Sequence, residues 1–209
     1  MNAALWENVI VESIEQNIKA KEKLLGAIPF IVKMAHVFVQ TLLQGGTIFF
    51  FGNGGSAADA QHLAAELVGR FAENRRGFPA IALTVNTSNL TAIGNDFGYE
   101  KIFSRQLEAL FKKEDLAVGI STSGNSPNVL EGIKTAKAIG GTTLGFTGGD
   151  GGKLKDLVDY AFIAPAKTPA RIQEIHILVG HILCHIAELE MIKFSNKKGV
   201  LLEQGKDNP

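Results

Sequence analysis

The stretch Thr47-Ile48-Phe49-Phe50-Phe51-Gly52-Asn53-Gly54-Gly55-Ser56 passes from a continuously apolar run into a glycine-rich turn, and Ala57-Ala58-Asp59-Ala60-Gln61-His62 opens a helical segment behind it. An apolar run without polar alternation marks a strand covered on both faces. Four further runs share this character: Ala80–Val85, Leu116–Ile120, Thr142–Thr147 and Tyr160–Ala164. The intervals between them leave room for crossover helices. The pattern predicts an α/β fold, a doubly wound, mostly parallel five-stranded sheet flanked by helices. Ligands of such sheets sit beyond the carboxyl ends of the strands, where the strand order reverses.

Working outward, residues 5–25 predict an amphipathic helix with Trp6, Ile10, Ile14 and Ile18 at four-residue intervals. A second helix starts near Pro29, presents Ile31, Met34, Phe38 and Leu42 on one stripe, and stops at Gly45-Gly46. The stripe of such a hairpin must be covered, which points to packing on another subunit. A last helix is expected from Pro169 to about Lys193. The reading is one domain over residues 1–194, including the hairpin at 1–44, followed by a mostly polar tail at 195–209 that is expected to be disordered beyond Val200-Leu201-Leu202.

Composition narrows the function classes. The 209 residues carry 21 basic and 21 acidic side chains, so no general attraction to nucleic acid or to an anionic membrane is expected. Any bound anion must be gripped by a shaped site. Cys184 is the only cysteine, which excludes an intrachain disulfide and suits a reducing compartment; its apolar neighbours predict a buried packing residue. Met1 to Ile14 carries Glu7 and Glu12 and no basic leader, unlike a signal peptide. No stretch reads as long and apolar enough to span a bilayer. The expected location is the cytoplasm.

Two predicted strands end in loops suited to anions. In Gly52-Asn53-Gly54-Gly55-Ser56 the glycines allow close backbone approach, and the following helix offers unpaired N–H groups. Ser121-Thr122-Ser123-Gly124-Asn125-Ser126 places four hydroxyls before a helix opening at Pro127, with Ser126 as a candidate N-cap. Either loop alone is compatible with ordinary turn and cap chemistry. Together, and without a lysine, they suit a phosphate dianion and not a nucleotide P-loop. Gly52-x-Gly54-x-x-Ala57 formally fits a dinucleotide fingerprint, but the next strand ends Thr84-Val85-Asn86 with no carboxylate for a ribose.

His62 and Glu66 stand at i and i+4 on the helix behind the first loop, so they share a face. The last helix carries Gln173, Glu174, His176, His181 and His185. Such residues also serve as surface pairs or core imidazoles; their place behind a phosphate cradle is what marks them as candidates. His181 and His185, again i and i+4, form an alternative metal pair.

The run from Gly52 to His62 resembles the opening motif of the phosphoheptose isomerases of the SIS (flavodoxin-like) type. So do Ala65-Glu66-Leu67-Val68-Gly69-Arg70-Phe71, Gly94-Asn95-Asp96-Phe97-Gly98, the Ser121–Ser126 loop and Arg171-Ile172-Gln173-Glu174-Ile175-His176 with His181. The resemblance covers roughly residues 45–190. It implies that Asn53, Gly54, Gly55 and Ser56 line a substrate pocket, that Ser121, Thr122, Ser123 and Ser126 hold a phosphate, and that Asn95 and Asp96 bind sugar hydroxyls. It implies one Zn(2+) per subunit on His62, Glu66, Gln173 and His181, with Gln173 also near the substrate and Glu66 and His181 as the acid–base pair. Arg70 would reach a neighbouring subunit of a homotetramer. Ala170 departs from members that carry an Asp there. The implied reaction converts sedoheptulose 7-phosphate to an aldoheptose 7-phosphate for lipopolysaccharide or surface-polysaccharide synthesis. A non-catalytic SIS module, either a sugar-phosphate sensor or an adaptor of a replication initiator, is the alternative, as is another phosphosugar enzyme on the same fold. An adaptor has no need of both Glu66 and His181.

Overall fold

The computed structural model describes residues 3–197. The hairpin forms as its stripes predict: α1 spans Ala3–Leu24, a short 3-10 turn covers Leu25–Ala27, and α2 spans Ile28–Leu43 with Pro29 in its first turn. Ile31, Met34, Phe38 and Leu42 of α2 are buried, whereas Trp6, Ile10, Ile14 and Ile18 of α1 stay 50–57% exposed.

The rest alternates as β1 Ile48–Gly52, α3 Gly55–Val68, β2 Ala80–Ala82, α4 Thr87–Phe97, α5 Ser104–Leu110, β3 Leu116–Ile120, α6 Pro127–Ile139, β4 Thr142–Thr147, α7 Leu154–Leu157, β5 Tyr160–Ile163 and α8 Pro169–Lys197. The strand order is β2-β1-β3-β4-β5, and every pairing is parallel. From β1 the chain moves to one edge and then returns to lay β3 on the other side of β1. That reversal is the switch point at which a crevice opens. Alternate side chains of the central strands feed two cores. Phe50, Val118 and Phe146 face α2, α3 and α8; Phe49, Phe51 and Ala117 face α5 and α6.

Three expectations are corrected. The strand expected over Ala80–Val85 shortens to Ala80–Ala82. It is a sheet edge, and Val85, 59% exposed, has no neighbouring strand to meet. The tail does not begin at 195, because α8 carries on through Lys197; the remainder of the expected tail, 198–209, lies outside the described residues. Two helical stretches, Ala3–Leu43 and Pro169–Lys197, are long and apolar enough to cross a bilayer by length and composition alone. Their apolarity has another use here, since α2 and α8 cover one face of the sheet with Met34, Phe38, Ile172, Ile175, Val179 and Leu183. The single cysteine is buried as expected, with Cys184 Sγ 3.9 Å from the Leu63 carbonyl.

Candidate active site

Sheet register sets the two anion loops side by side, because Gly52, the last residue of β1, pairs with Ile120, the last of β3. A Cβ at Gly52 would come within 2.7 Å of the Ile120 carbonyl, so only glycine permits this closeness. Gly54 adopts φ 56° as it turns the chain into α3, a conformation that side chains disfavour. Behind it Ser56 N and Ala57 N donate to the carbonyls of Asn53 and Gly54. Ser56 is buried at the start of the helix.

Asn53 joins the loops laterally. Its amide exchanges two 2.8 Å hydrogen bonds with Asn128, and Tyr99 Oη donates to Asn53 Oδ1 at 3.2 Å. In the second loop Ser121 and Ser126 hydroxyls pair at 2.9 Å, and Ser123 Oγ accepts from Asn125 N. Ser126 does occupy the N-cap position of α6 with Pro127 behind it, but its side chain makes no cap bond because Ser121 takes it. Thr122 and Ser123 line a groove with Gly148, Gly149, Asp150, Lys167, Pro169 and Ile172. Asn95 and Asp96 sit at the exposed end of α4 and bond each other at 2.7 Å. Arg70 is exposed just past α3.

The titratable cluster exists because α8 crosses α3 closely. A Cβ on Gly180 would lie 2.5 Å from Leu63, so the missing side chain lets the helices meet there. The residues flanking that contact, His62 and His181, are thereby brought face to face. Their Nε2 atoms are 2.8 Å apart, and His62 Nε2 lies 3.1 Å from Glu66 Oε1. Burial, then the neighbouring His62, lower the His181 pKa, while Glu66 opposes them. Phe71 borders the cluster, 5.8 Å from the His181 ring and stacked on His185 at 5.2 Å. His185 therefore packs on an aromatic ring, and the alternative pair His181/His185 gives way to His62/His181.

Donor atoms of His62, Glu66 and His181 all lie within 4.8 Å of one another, a set that can hold a metal ion. Two imidazoles and a carboxylate converging on one point are a donor set that zinc accepts. Gln173 is placed differently from these three. Its carboxamide lies over Gly55, where a Cβ would meet Nε2 at 2.5 Å. It thus roofs the first turn of α3, two turns before His62.

Several residues that build the site carried no sequence signal. Asn128 and Tyr99 are ordinary polar types in ordinary segments. Asp59, one turn before His62, has a carboxyl that burial pushes up to about 6, with His62 opposing, and its Oδ2 is buried without a hydrogen-bond partner. Arg171 and Glu174, prominent in the last motif, fasten α1 instead: Arg171 donates to the Ser13 carbonyl, and Glu174 accepts from Asn17.

The SIS-domain family matches residues 10–148. The phosphoheptose isomerase of Aquifex aeolicus is 56% identical over 162 residues, 78% of this chain and 84% of that protein. The chain belongs to the phosphoheptose isomerases. The Clostridium acetobutylicum phosphoheptose isomerase is 49% identical over 188 residues, covering 88% of this chain and 96% of its own. Among solved structures, the phosphoheptose isomerase of Neisseria gonorrhoeae superposes with a TM-score of 0.83 at 42% identity, over 88% of this chain and 99% of that one. Membership of the phosphoheptose isomerases makes the chain an isomerase acting on a sugar phosphate, and it sets the alternative of a non-catalytic adaptor aside.

Proposed function

We propose that the chain converts sedoheptulose 7-phosphate to D-glycero-D-manno-heptose 7-phosphate through an enediol(ate), feeding heptose to lipopolysaccharide or surface polysaccharide. The observation that carries the reading is the convergence of Glu66, His62 and His181 where α8 crosses α3, on a sheet whose strand β3 ends in the loop that presents Ser121, Thr122, Ser123 and Ser126. The phosphate rests on those hydroxyls and on the N-terminus of α6. The sugar chain extends under Gln173 and past Asn53, Gly54, Gly55 and Ser56, with Asn95 and Asp96 meeting its hydroxyls.

Glu66 directs Oε1 at His62. Its other oxygen takes the proton from C1 of the ketose and returns it to C2. His181 carries the hydroxyl proton from O1 to O2; burial and His62 lower its pKa, which favours the uncharged ring that can both accept and donate a proton. His62, Glu66 and His181, with Gln173 leaning forward from over Gly55, would hold one zinc ion per subunit, which would supply Lewis-acid polarisation of the carbonyl. Positioned acid–base groups contribute about 10²–10⁴-fold each.

The assembly is a homotetramer in the cytoplasm. In support, the apolar face of α1 lies open, α4 has no buried residue, and Arg70 is free to reach a neighbour's site. The thiol of Cys184, pushed up to about 12 chiefly by burial, suits a protein with no disulfide chemistry. The hairpin and the sheet act as one SIS domain that runs through α8 to Lys197, since α2 shares a core with α3 and α8. The test incubates pure protein with sedoheptulose 7-phosphate and follows aldoheptose phosphate by NMR. Turnover lost in Glu66→Gln and in His181→Ala supports the reading; no turnover by the unaltered protein, with or without added zinc, rejects it.

A further inference from the structure

Between α3 and β2 the chain runs without regular structure through Arg70, Phe71 and Arg75. An ion pair lies beneath this segment. Arg75 Nε donates to Glu188 Oε1 at 2.7 Å, and both side chains are 0% exposed. A buried pair is favourable only when its remaining donors and acceptors are also met. Here they are. Glu188 Oε1 also accepts from Phe71 N at 3.0 Å, and Oε2 accepts from Ala72 N at 2.8 Å and Glu73 N at 3.0 Å. Arg75 Nη1 donates to the carbonyls of Leu67, Gly69 and Arg76, and Nη2 to the carbonyl of Glu66 at 3.0 Å. The Arg75 guanidinium also lies 3.8 Å over the Phe78 ring. Burial works against the charge on Glu188, but the backbone donors and Arg75 outweigh it and hold the carboxyl below its ordinary range.

The carbonyls of Glu66 and Leu67 belong to the last turn of α3, which has no intrahelical donors left to meet them. Arg75 meets them, and a cation suits that end of the helix dipole. Glu188 stands two turns after His181 on α8, on the same side of the helix. Its carboxylate pins the backbone of Phe71, whose ring borders His181. One pair therefore joins the end of α3, the 69–77 segment and α8, the three elements on which Glu66 and His181 depend.

We propose that Arg75 and Glu188 are positioning residues for the isomerase centre, fixing the placement of Glu66 relative to His181 from beneath. The proposal rests on the acid–base reading of those two residues. Misplacement of a reacting group by about 1 Å costs on the order of 10²-fold in rate. Glu188→Gln, which keeps shape and loses charge, is expected to lower kcat by about that factor, with KM within about twofold because the 121–126 loop is untouched. The histidine ring signals of His62 and His181 are expected to shift, while that of His36 on α2 stays.

The double variant Arg75→Met/Glu188→Leu separates positioning from bulk stability. Removing both charges from a buried pair is often neutral for stability. A double variant that regains wild-type stability but keeps the kcat deficit supports the proposal; one that regains both overturns it. Should the double variant not fold, Arg75→Lys, which keeps the charge and loses the fork, decides in the same way: an unchanged kcat overturns the proposal. Full activity in His181→Ala, with the ring signals still moving in Glu188→Gln, sinks the acid–base reading and leaves the positioning geometry standing.

Discussion

Replacing Gly55 with alanine places a methyl group 2.5 Å from Gln173 Nε2 and 2.8 Å from its Oε1. Ordinary contact begins at 3.4 Å, so the carboxamide must withdraw by about 0.9 Å. The backbone does not object, because Gly55 is absent from the positive-φ glycines and alanine is a better helix former by up to about 1 kcal/mol. The displaced atoms end a flexible side chain, so stability should hold level or rise slightly. Activity should not hold level. A carboxamide roofing the substrate loop and moved by nearly 1 Å should cost about 10²-fold in kcat/KM, or about 2.7 kcal/mol of transition-state stabilisation. The assay is steady-state conversion of sedoheptulose 7-phosphate, paired with thermal melting at fixed protein concentration. Gln173→Ala supplies the second edge of a cycle: the double variant should lose no more than Gln173→Ala alone, because the methyl then displaces nothing. A Gly55→Ala enzyme within about threefold of wild type would refute the assignment of Gln173 to the substrate.

Other perturbations read different parts of the molecule. His176 is buried with Nε2 bonded to the Thr147 carbonyl, and burial lowers its pKa from 6.5 to about 4. A depressed imidazole stabilises the fold above the unfolded pKa and loses that contribution as pH falls from 6.5 through about 4. Between about pH 7 and pH 5 this amounts to about 2 kcal/mol, and His176→Gln should be less acid-sensitive than wild type by that much in urea denaturation. Asp59, raised to about 6, titrates with the opposite sign over part of the window, so equal pH slopes in the two proteins are the refuting result. Gly124→Ala combines φ +65° with a Cβ 2.0 Å from the Gly151 carbonyl and should cost about 2 kcal/mol or more, measured by the urea midpoint. Gly140→Ala, at φ +95° with open space around it, should cost less; the reverse order would discredit the packing argument.

How far the sequence led can be judged element by element. Leu116–Ile120 and Thr142–Thr147 were legible to the residue, since strands covered on both faces leave no polar alternation to blur their ends. Ala80–Val85 was overlong because an edge strand stops where pairing stops, and composition does not record that. The His62/Glu66 pair was legible from helix geometry alone. Their meeting with His181 depends on Gly180 resting on Leu63, a contact between helices more than a hundred residues apart in the chain. Gln173 was legible as a site residue from resemblance only, and its seat over Gly55 was not. Glu188 and Arg75 looked like any charges on a helix and a loop. Their importance lies in being buried against each other, and local pattern does not report a pairing that spans 113 positions.

The order in which the chain is made sharpens the meaning of that helix crossing. The cradle loops at 52–56 and 121–126 leave the ribosome early, and the sheet that carries them is complete at Ile163. The second imidazole arrives only with α8, after every strand has been synthesised. A chain that stops short of this helix keeps the contact of Glu66 with His62 but lacks His181, and it leaves one face of the sheet without Ile172, Ile175, Val179 and Leu183. Closing the core over the sheet and completing the pair of Glu66 and His181 are thus one event, and both wait for the final helix.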